Sequence, residues 1–255
     1  MPRLNVATCT RPDFEPATLM GNMALSHAVD YLRGRGLFVD DLAGDSAVRE
    51  RVLASLVAND SVWFFGVGHG NASTFTGQRY DRIFWTCNCR ELSGRVVFLL
   101  SCITGAELGP DMVEDKGAWC YMGYREPFSW VQERLQDPLA DTYGRSFFEP
   151  VLELIYRLAE GHTTREAFNA SVERWNYWID YWSRSDDPNA PMIVMLLIHN
   201  RDIQVLFGDE SATVATPIPP LWWLLSAGAA TIPMIAVGSV ITAEEARKAG
   251  FPMFI

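Results

Sequence analysis

A histidine and a cysteine each follow an apolar run of the chain. His69 comes after residues 61–67, and Cys102 comes after residues 96–100. A thiol becomes a nucleophile at neutral pH when a neighbouring imidazole takes its proton, and the same imidazole can later protonate a leaving amine. If the two runs are parallel strands of one sheet, their ends lie on one edge, and the two side chains can face each other although they are far apart in the sequence.

Glycines surround the histidine, in the sequence Gly68-His69-Gly70. Glycine lets the backbone pass close to a ligand, so a backbone N–H at this place could bind an oxyanion, with the N–H of Cys102 as a second donor. Taken singly, a histidine after a strand is more often a structural hydrogen-bonding residue, and a free cysteine is usually a small core residue. The two together, each at the tip of its own apolar run, point more specifically to nucleophilic catalysis.

The runs around these residues predict an α/β fold. Residues 61–67, 96–100 and 118–122 are continuously apolar, which is typical of central strands in a mostly parallel sheet. Further strands are predicted over 4–9, 37–42 and 203–207, and helices over 17–33, after a cap at Ser46, over 139–161 and over 163–182. This alternation indicates an open α/β sandwich with helices on both faces, and such sheets carry their sites at the carboxyl ends of the strands.

Two short motifs in this order have a family likeness. An apolar strand that closes in Gly68-His69-Gly70, and then one that closes in Ser101-Cys102, resemble the caspase-like (clan CD) cysteine peptidases. The gingipain-type (peptidase C25-like) and CHAT-type prokaryotic members are most similar, because residues 118–125 look like the family's next strand and cleft segment. Residues 205–210 also resemble a late strand and turn of that branch, with Glu210 in place of a proline.

The resemblance covers roughly residues 3–210 and implies both a fold and a chemistry. The fold would be a caspase-like three-layer sandwich with a mostly parallel central sheet. The chemistry would be a dyad with no obligatory third member, in which Cys102 attacks the scissile carbonyl and His69 is the general base and acid. The N–H groups of Gly70 and Cys102 would form the oxyanion hole. No metal or other cofactor is needed for this reaction.

In several members of the family, a charged residue shortly after the first strand sets the preference for the residue before the cut. Arg11, Asp13 and Glu15 occupy that stretch here. Asp13 or Glu15 would favour a basic side chain and Arg11 an acidic one, whereas all three are equally compatible with solvated loop charges. Tyr124 is a further candidate for substrate binding, as is Glu126.

Composition excludes several functions. The 255 residues include 31 acidic and 21 basic side chains, and a net charge of −10 argues against broad nucleic-acid binding, which needs a basic surface.

Five cysteines without a framework pattern favour a reducing compartment, and the start of the sequence lacks the apolar stretch of a signal peptide. Walker A and G-x-S-x-G patterns are absent, and Cys87-Asn88-Cys89 lacks a second ligand pair for zinc.

The end of the chain is apolar. No charged residue occurs over 211–243, and residues 221–241 are long enough to cross a hydrocarbon core of about 30 Å. The predicted organisation is a peptidase domain over 1–210, a linker over 211–220, a transmembrane or buried apolar helix over 221–241 and a short tail over 242–255. A bilayer is thus an expected partner, with the domain on the cytoplasmic side, although Arg247 and Lys248 favour the opposite orientation.

These observations predict a membrane-anchored cysteine endopeptidase that acts on proteins or peptides. A different interpretation is a non-catalytic or latent caspase-like scaffold whose apolar tail assembles with copies of itself or with other chains. A third is a membrane assembly component in which the tail is the functional part and the α/β domain is a cap.

Overall fold

The computed structural model describes residues 3–132 and 136–216. Its strands are β1 (Arg3–Arg11), β2 (Phe38–Ala43), β3 (Ser61–Val67), β4 (Gly70–Asn71), β5 (Thr74–Thr76), β6 (Arg82–Trp85), β7 (Val96–Leu100), β8 (Cys120–Tyr124) and β9 (Gln204–Gly208). Six of them form a sheet in the order β2-β1-β3-β7-β8-β9, in which only β9 runs antiparallel to its neighbour. The mostly parallel central sheet predicted from the sequence is therefore present.

Helices cover both faces of this sheet. They are α1 (Pro16–Gly34), α2 (Arg49–Asn59), the single turn α3 (Leu108–Pro110), α4 (Thr142–Ala159), α5 (Thr164–Ser183) and α6 (Ala190–Ile203). One face packs against α1, α4, α5 and α6, and the other against α2, α3 and a small antiparallel sheet of β4, β5 and β6. Alternate residues of β3, such as Phe64 and Phe65, enter opposite cores, which explains why the central strands are apolar throughout.

Two elements begin later than predicted. In one case a backbone hydrogen bond of the preceding connection sets the start, and in the other a side-chain cap does. The third central strand begins at Cys120 rather than at residue 118, because Ala118 still donates its N–H to Met112 O in the preceding connection. The helix predicted from residue 139 begins at Thr142, where the Asp141 carboxylate caps it by accepting the N–H of Gly144.

The predicted cap at Ser46 is wrong. Ser46 lies in a separate 3₁₀ turn, Gly44–Ser46, and Val48 precedes the helix without a side-chain cap of its own. The carboxylate of Asp81, distant in the sequence, accepts the N–H of Arg49 at 2.6 Å instead. A tertiary contact thus replaces the local signal.

Helix α6 and the small sheet β4–β6 were not predicted, and residues 211–216 do not behave as a linker. Asn5 donates its backbone N–H to Val214 O and accepts the N–H of Thr216 on its side chain, both at 2.9 Å. Val214 and Ala215 are buried. The domain therefore extends beyond residue 210, and its last described residues return to the start of β1.

Within the described residues, no helix is long and apolar enough to cross a membrane. The predicted membrane segment 221–241 and the tail 242–255 lie outside the residues that the structure describes.

Candidate active site

The register of the sheet brings the two strand ends together. Val67 of β3 pairs with Leu100 of β7, and the N–H of Gly68 donates to Leu100 O at 3.3 Å. His69 and Cys102 each stand two residues beyond this pair. They therefore lie on adjacent chain segments at the carboxyl edge of the sheet, where an α/β fold carries its site.

Gly70 shows how closely these segments approach. A Cβ atom at this position would lie 2.2 Å from Ser101 Oγ and 2.6 Å from Cys102 O, so that only glycine fits. Thr76 donates its N–H to His69 O, which makes His69 and Thr76 a hydrogen-bonded pair of the small sheet. Because such pairs alternate along antiparallel strands, the N–H of Gly70 points away from β5.

A carboxylate holds the histidine. His69 Nε2 lies 3.0 Å from Glu15 Oε1, and the two side chains are about one-third exposed. An ionised carboxylate can only accept a hydrogen bond, so Nε2 carries the proton. The other ring nitrogen, Nδ1, is then the atom that can act as a base. Glu15, which the sequence analysis placed among the substrate-binding candidates, is thus engaged by His69.

Glu15 is fixed in turn by the start of α1, which it caps. Its side chain accepts the N–H of Thr18 at 2.7 Å and that of Ala17 at 3.1 Å. Burial alone would raise the pKa of Glu15, but these two backbone hydrogen bonds, together with the nearby His69, lower it below its ordinary value. The carboxylate of Glu15 is therefore ionised at neutral pH.

Two aromatic rings complete the frame around His69. Tyr80 stacks on the imidazole with ring centroids 5.2 Å apart, and Phe14 meets it edge-on at 6.0 Å. Phe14 and Tyr80 also touch each other, at 4.9 Å. The backbones of Arg79 and Tyr80 are left-handed, with φ of 51° and 63°, a conformation uncommon outside glycine. The chain thus bends sharply to lay Tyr80 on the histidine.

Cys102 has a different environment. Its thiol is half-buried and makes one long contact with Phe128 O, at 3.9 Å, and it makes no hydrogen bond with His69. Burial raises the pKa of Cys102, so the resting thiol is protonated at neutral pH. The next residue, Ile103, has a φ of 65°, which is an outlier for a β-branched side chain. Such strain at a candidate nucleophile is typical of functional sites.

A cavity of about 50 Å³ lies beside both residues. His69 and Cys102 line it, together with the first turns of α1, the segment after β8 and Phe148 of α4. Apart from these two residues, the polar side chains of its described lining are Thr18 and Ser101. We call this space the active-site cavity.

The remaining charged candidates lie elsewhere. Arg11 forms a bidentate pair with Asp41, at 2.6 and 2.7 Å, and donates to Asn22 Oδ1 at 2.8 Å, so each of its guanidinium nitrogens has a partner within the fold. Asp13 is exposed and accepts a hydrogen bond from Gln78 Nε2 at 3.0 Å. Neither side chain lines the active-site cavity.

Tyr124 is fully buried, and burial raises the pKa of its phenol far above the usual range. It offers no surface to a substrate and packs on Phe128, with ring centroids 4.9 Å apart. Glu126 is exposed, and its carbonyl accepts the N–H of Ile103 at 3.2 Å.

Three aromatic residues that border the site were not predicted from the sequence, namely Tyr80, Phe128 and Trp130. They lie in irregular segments, where no periodicity marks a residue for attention. The only signal in the sequence is that large aromatic side chains occur in otherwise polar stretches.

Two solved structures share this fold. A complex of the pro- and mature domains of Porphyromonas gingivalis RgpB matches 85% of this chain and 50% of that chain, with a TM-score of 0.55 and 14% identity. The Arg-specific cysteine proteinase gingipain R (RgpB) matches 85% of this chain and 49% of that chain, with a TM-score of 0.50 and 16% identity. The chain therefore spans about half the length of either structure. No family model matches the sequence, and no curated protein matches it.

A likeness at this level of identity shows the fold. The protein has a caspase-like α/β fold of the kind found in gingipain R. Since one fold can host many activities, the function has to be argued from the site.

Proposed function

We propose that the protein is a cysteine endopeptidase in which Cys102 is the nucleophile and His69 the general acid and base. One observation carries this proposal: both residues follow the paired strand ends and line one cavity, while Glu15 hydrogen-bonds to the imidazole. A nucleophile and a base can carry out covalent acyl transfer, and a third group that orients the base supports this reaction.

In the first half of the reaction, His69 Nδ1 takes the proton of the Cys102 thiol as Sγ attacks the carbonyl carbon of the substrate. The carbonyl oxygen becomes an oxyanion, and the N–H groups of Gly70 and Cys102 are the proposed donors to it. The C–N bond then breaks, and His69 returns the proton to the leaving amine. Glu15 stabilises the imidazolium that exists between these two transfers.

In the second half, a water molecule gives one proton to His69 and attacks the thioester carbon. The C–S bond breaks, the product leaves as a carboxylic acid, and Sγ recovers its proton from the imidazolium. Since the resting thiol is protonated, the proton transfer to His69 must accompany substrate binding or attack rather than precede it. Catalytic hydrogen bonds are often long before substrate binds.

The test is hydrolysis of a proteome-derived peptide mixture by the full chain and by Cys102→Ala and His69→Ala. We expect Cys102→Ala to lose about 10³-fold or more and His69→Ala about 10²- to 10⁴-fold, the range for a positioned general base. Cys87→Ala and His162→Ala are matched controls, since both residues lie on the surface away from the cavity. Unchanged cleavage by Cys102→Ala, with stability within about 1–2 kcal/mol of the parent, would refute the mechanism.

A non-catalytic or latent scaffold is the second candidate. The observation that favours it is the resting state of Cys102, with a raised pKa and no hydrogen bond to His69. If neither the parent nor the controls cleave any peptide of the mixture, while all of them fold, the scaffold becomes the better account. A protein partner rather than a substrate would then be sought.

Membrane attachment through residues 221–241 is also proposed, on the sequence alone. Its support is the run of 33 residues, 211–243, without a charged side chain. If the segment spans a bilayer, the full chain should remain with the membrane fraction after extraction with alkaline carbonate. Release into the supernatant would count against an integral segment. The side of the membrane on which the domain lies is then read from protease protection of closed vesicles.

A further inference from the structure

The active-site cavity carries an inference about the substrate, which rests on the proposed peptidase function. Beside His69 and Cys102, most of the described lining of the cavity is formed by apolar side chains. Those used below are Ala17, Gly21, Val67, Phe128, Trp130 and Phe148. A pocket of this composition, next to a nucleophile, receives the side chain that neighbours the bond to be cut.

The three charged residues considered as determinants of specificity are engaged elsewhere and do not make the cavity polar. Glu15 caps α1 and holds His69, and Arg11 is paired with Asp41. Asp13 is exposed beside Gln78 and does not line the cavity. The described lining of the cavity therefore contains no carboxylate or guanidinium that could bind a charged substrate side chain.

The two neutral polar side chains of the lining are engaged or turned away. Thr18 Oγ1 donates to Glu15 O at 3.1 Å and faces the N–H of the same residue at 3.4 Å. Ser101 Oγ is buried against Gly70, where a Cβ atom would lie 2.2 Å from it, and it has no hydrogen-bond partner among the described residues. A charged side chain that entered the cavity would lose its hydration without gaining a partner of opposite charge, which is strongly unfavourable.

The size of the cavity limits the guest further. A volume of about 50 Å³ corresponds to about three to five water-sized groups. Valine and leucine side chains have three and four carbon atoms, so that either can fill it. Gly21 sets one wall, because a Cβ atom there would lie 2.3 Å from Val67 Cγ2. The aromatic rings of Phe128, Trp130 and Phe148 also border the cavity.

We infer that the peptidase cuts after medium-sized apolar residues such as valine or leucine, and that the active-site cavity holds the side chain of the residue whose carbonyl Cys102 attacks. The preferences for basic or acidic residues considered from Arg11, Asp13 and Glu15 are not expected. In this respect the proposed specificity differs from that stated in the name of the Arg-specific proteinase with which the chain shares its fold.

The experiment has two readings on the full chain. First, the bonds that the parent cleaves in a proteome-derived peptide mixture are mapped. Bonds that are also cleaved in the Cys102→Ala sample are then removed as background. Second, two activity probes with the same acyloxymethyl ketone group, one with leucine and one with arginine before it, are compared for labelling of Cys102. We expect cleavage after valine or leucine, and labelling by the leucine probe at least tenfold faster than by the arginine probe.

Ala17→Leu, on the first turn of α1, narrows the cavity while its backbone N–H can still reach Glu15. Cleavage should shift from leucine towards alanine, with the ratio of the two kcat/KM values changing by about tenfold, as expected when one or two methylene groups no longer fit. Met23→Leu is the matched control, because Met23 lies on the same helix outside the cavity lining. It should keep the preference of the parent.

Each alternative result has a distinct meaning. Cys102-dependent cleavage after arginine, lysine or aspartate would overturn this inference and leave the proposed function standing. An apolar preference found only on the leaving-group side of the bond would also overturn it. Absence of both Cys102-dependent cleavage and probe labelling would overturn the proposed function, and the inference with it.

Discussion

The two strand ends that form the site are built in opposite ways. At the end of β3, His69 is held on three sides, by the carboxylate of Glu15 and by the rings of Tyr80 and Phe14. At the end of β7, Cys102 is half-buried, protonated and tied only by a long contact to Phe128 O. The proposed base is thus oriented before a substrate arrives, whereas the proposed nucleophile is a protonated thiol at rest.

This difference determines what substrate binding has to contribute to the proposed reaction. A preformed thiolate–imidazolium pair would need the two groups to share a proton at rest, and the burial of Cys102 opposes that. The frame around His69 removes the cost of orienting the base, so substrate binding has to provide only the contact between Nδ1 and the thiol. Preorganisation of one partner is a general way to lower such a barrier.

Among the changes that test this difference between the two strand ends, removing the carboxylate that supports His69 has the largest expected effect. In Glu15→Ala, His69 loses its carboxylate, and a hydrogen bond to a charged group contributes about 1.5–3 kcal/mol. We therefore expect kcat/KM for peptide hydrolysis to fall by about 10- to 150-fold. Glu15→Asp keeps a good helix cap but is too short to reach His69 in the same way, so it should regain stability and not activity.

The pH dependence of stability follows from the same residue. The folded-state pKa of Glu15 lies below its ordinary value of 4.5, so the ionised group stabilises the fold above that pH. This contribution is lost as the pH falls through the lowered value. The difference in unfolding free energy between the parent and Glu15→Ala should accordingly be constant near pH 7 and shrink below pH 4.5. A difference that grows on acidification would contradict the assignment.

The role of Glu15 also shows where prediction from the sequence stops. The central strands could be predicted because β3 and β7 are buried on both faces and are apolar throughout. His69 and Cys102 could be predicted as a pair because each directly follows such a strand. Glu15 reaches His69 across 54 positions, and in the sequence it is only one of three charges in a loop. Nothing local separates the charge that orients the histidine from the two that do not.

Tyr124 was open to misinterpretation for a related reason. The predicted strand ended at residue 122, which placed Tyr124 in the cleft segment. The actual strand begins and ends two residues later, so that Tyr124 is its last residue and is fully buried. Because strand ends are decided by hydrogen bonds to distant segments, as with Ala118 and Met112, a small shift of the boundary moved this residue from the site into the core.

The second largest effect concerns the reactivity of Cys102, the proposed nucleophile. Because burial raises the pKa of Cys102 above its ordinary value of 9.0, its thiolate appears only at higher pH, and each unit lowers the thiolate fraction at pH 7 about tenfold. Limiting iodoacetamide at pH 7 should therefore alkylate the exposed Cys87 several-fold faster than Cys102, as mapped by mass spectrometry. Faster labelling of Cys102 that depends on His69 would show instead an ion pair already formed at rest.

A smaller effect is expected from the aromatic part of the frame. Tyr80→Ala removes the ring stacked on His69, an interaction of about 0.5–1.5 kcal/mol, so kcat/KM should fall by about 2- to 13-fold. Tyr80→Phe keeps the ring and should behave as the parent does. Tyr177→Ala, which removes an equally exposed tyrosine from α5, controls for nonspecific loss. A loss of activity in Tyr80→Phe as large as in Tyr80→Ala would assign the effect to the hydroxyl group.

The smallest effect tests the strain beside Cys102. Ile103 has a left-handed backbone, which costs a residue with a Cβ about 1 kcal/mol or more, whereas glycine adopts it freely. Glycine normally destabilises a protein relative to alanine, by about 0.5–1 kcal/mol in regular structure. At residue 103 this order should reverse. The free energy of unfolding of Ile103→Gly should be about 1 kcal/mol higher than that of Ile103→Ala, which would be measured as a higher urea midpoint. Both variants lose the isoleucine contacts beyond Cβ, so their difference reports mainly the backbone. If the alanine variant were the more stable, Cys102 would be held without strain, and the two strand ends would differ in their polar and aromatic contacts only.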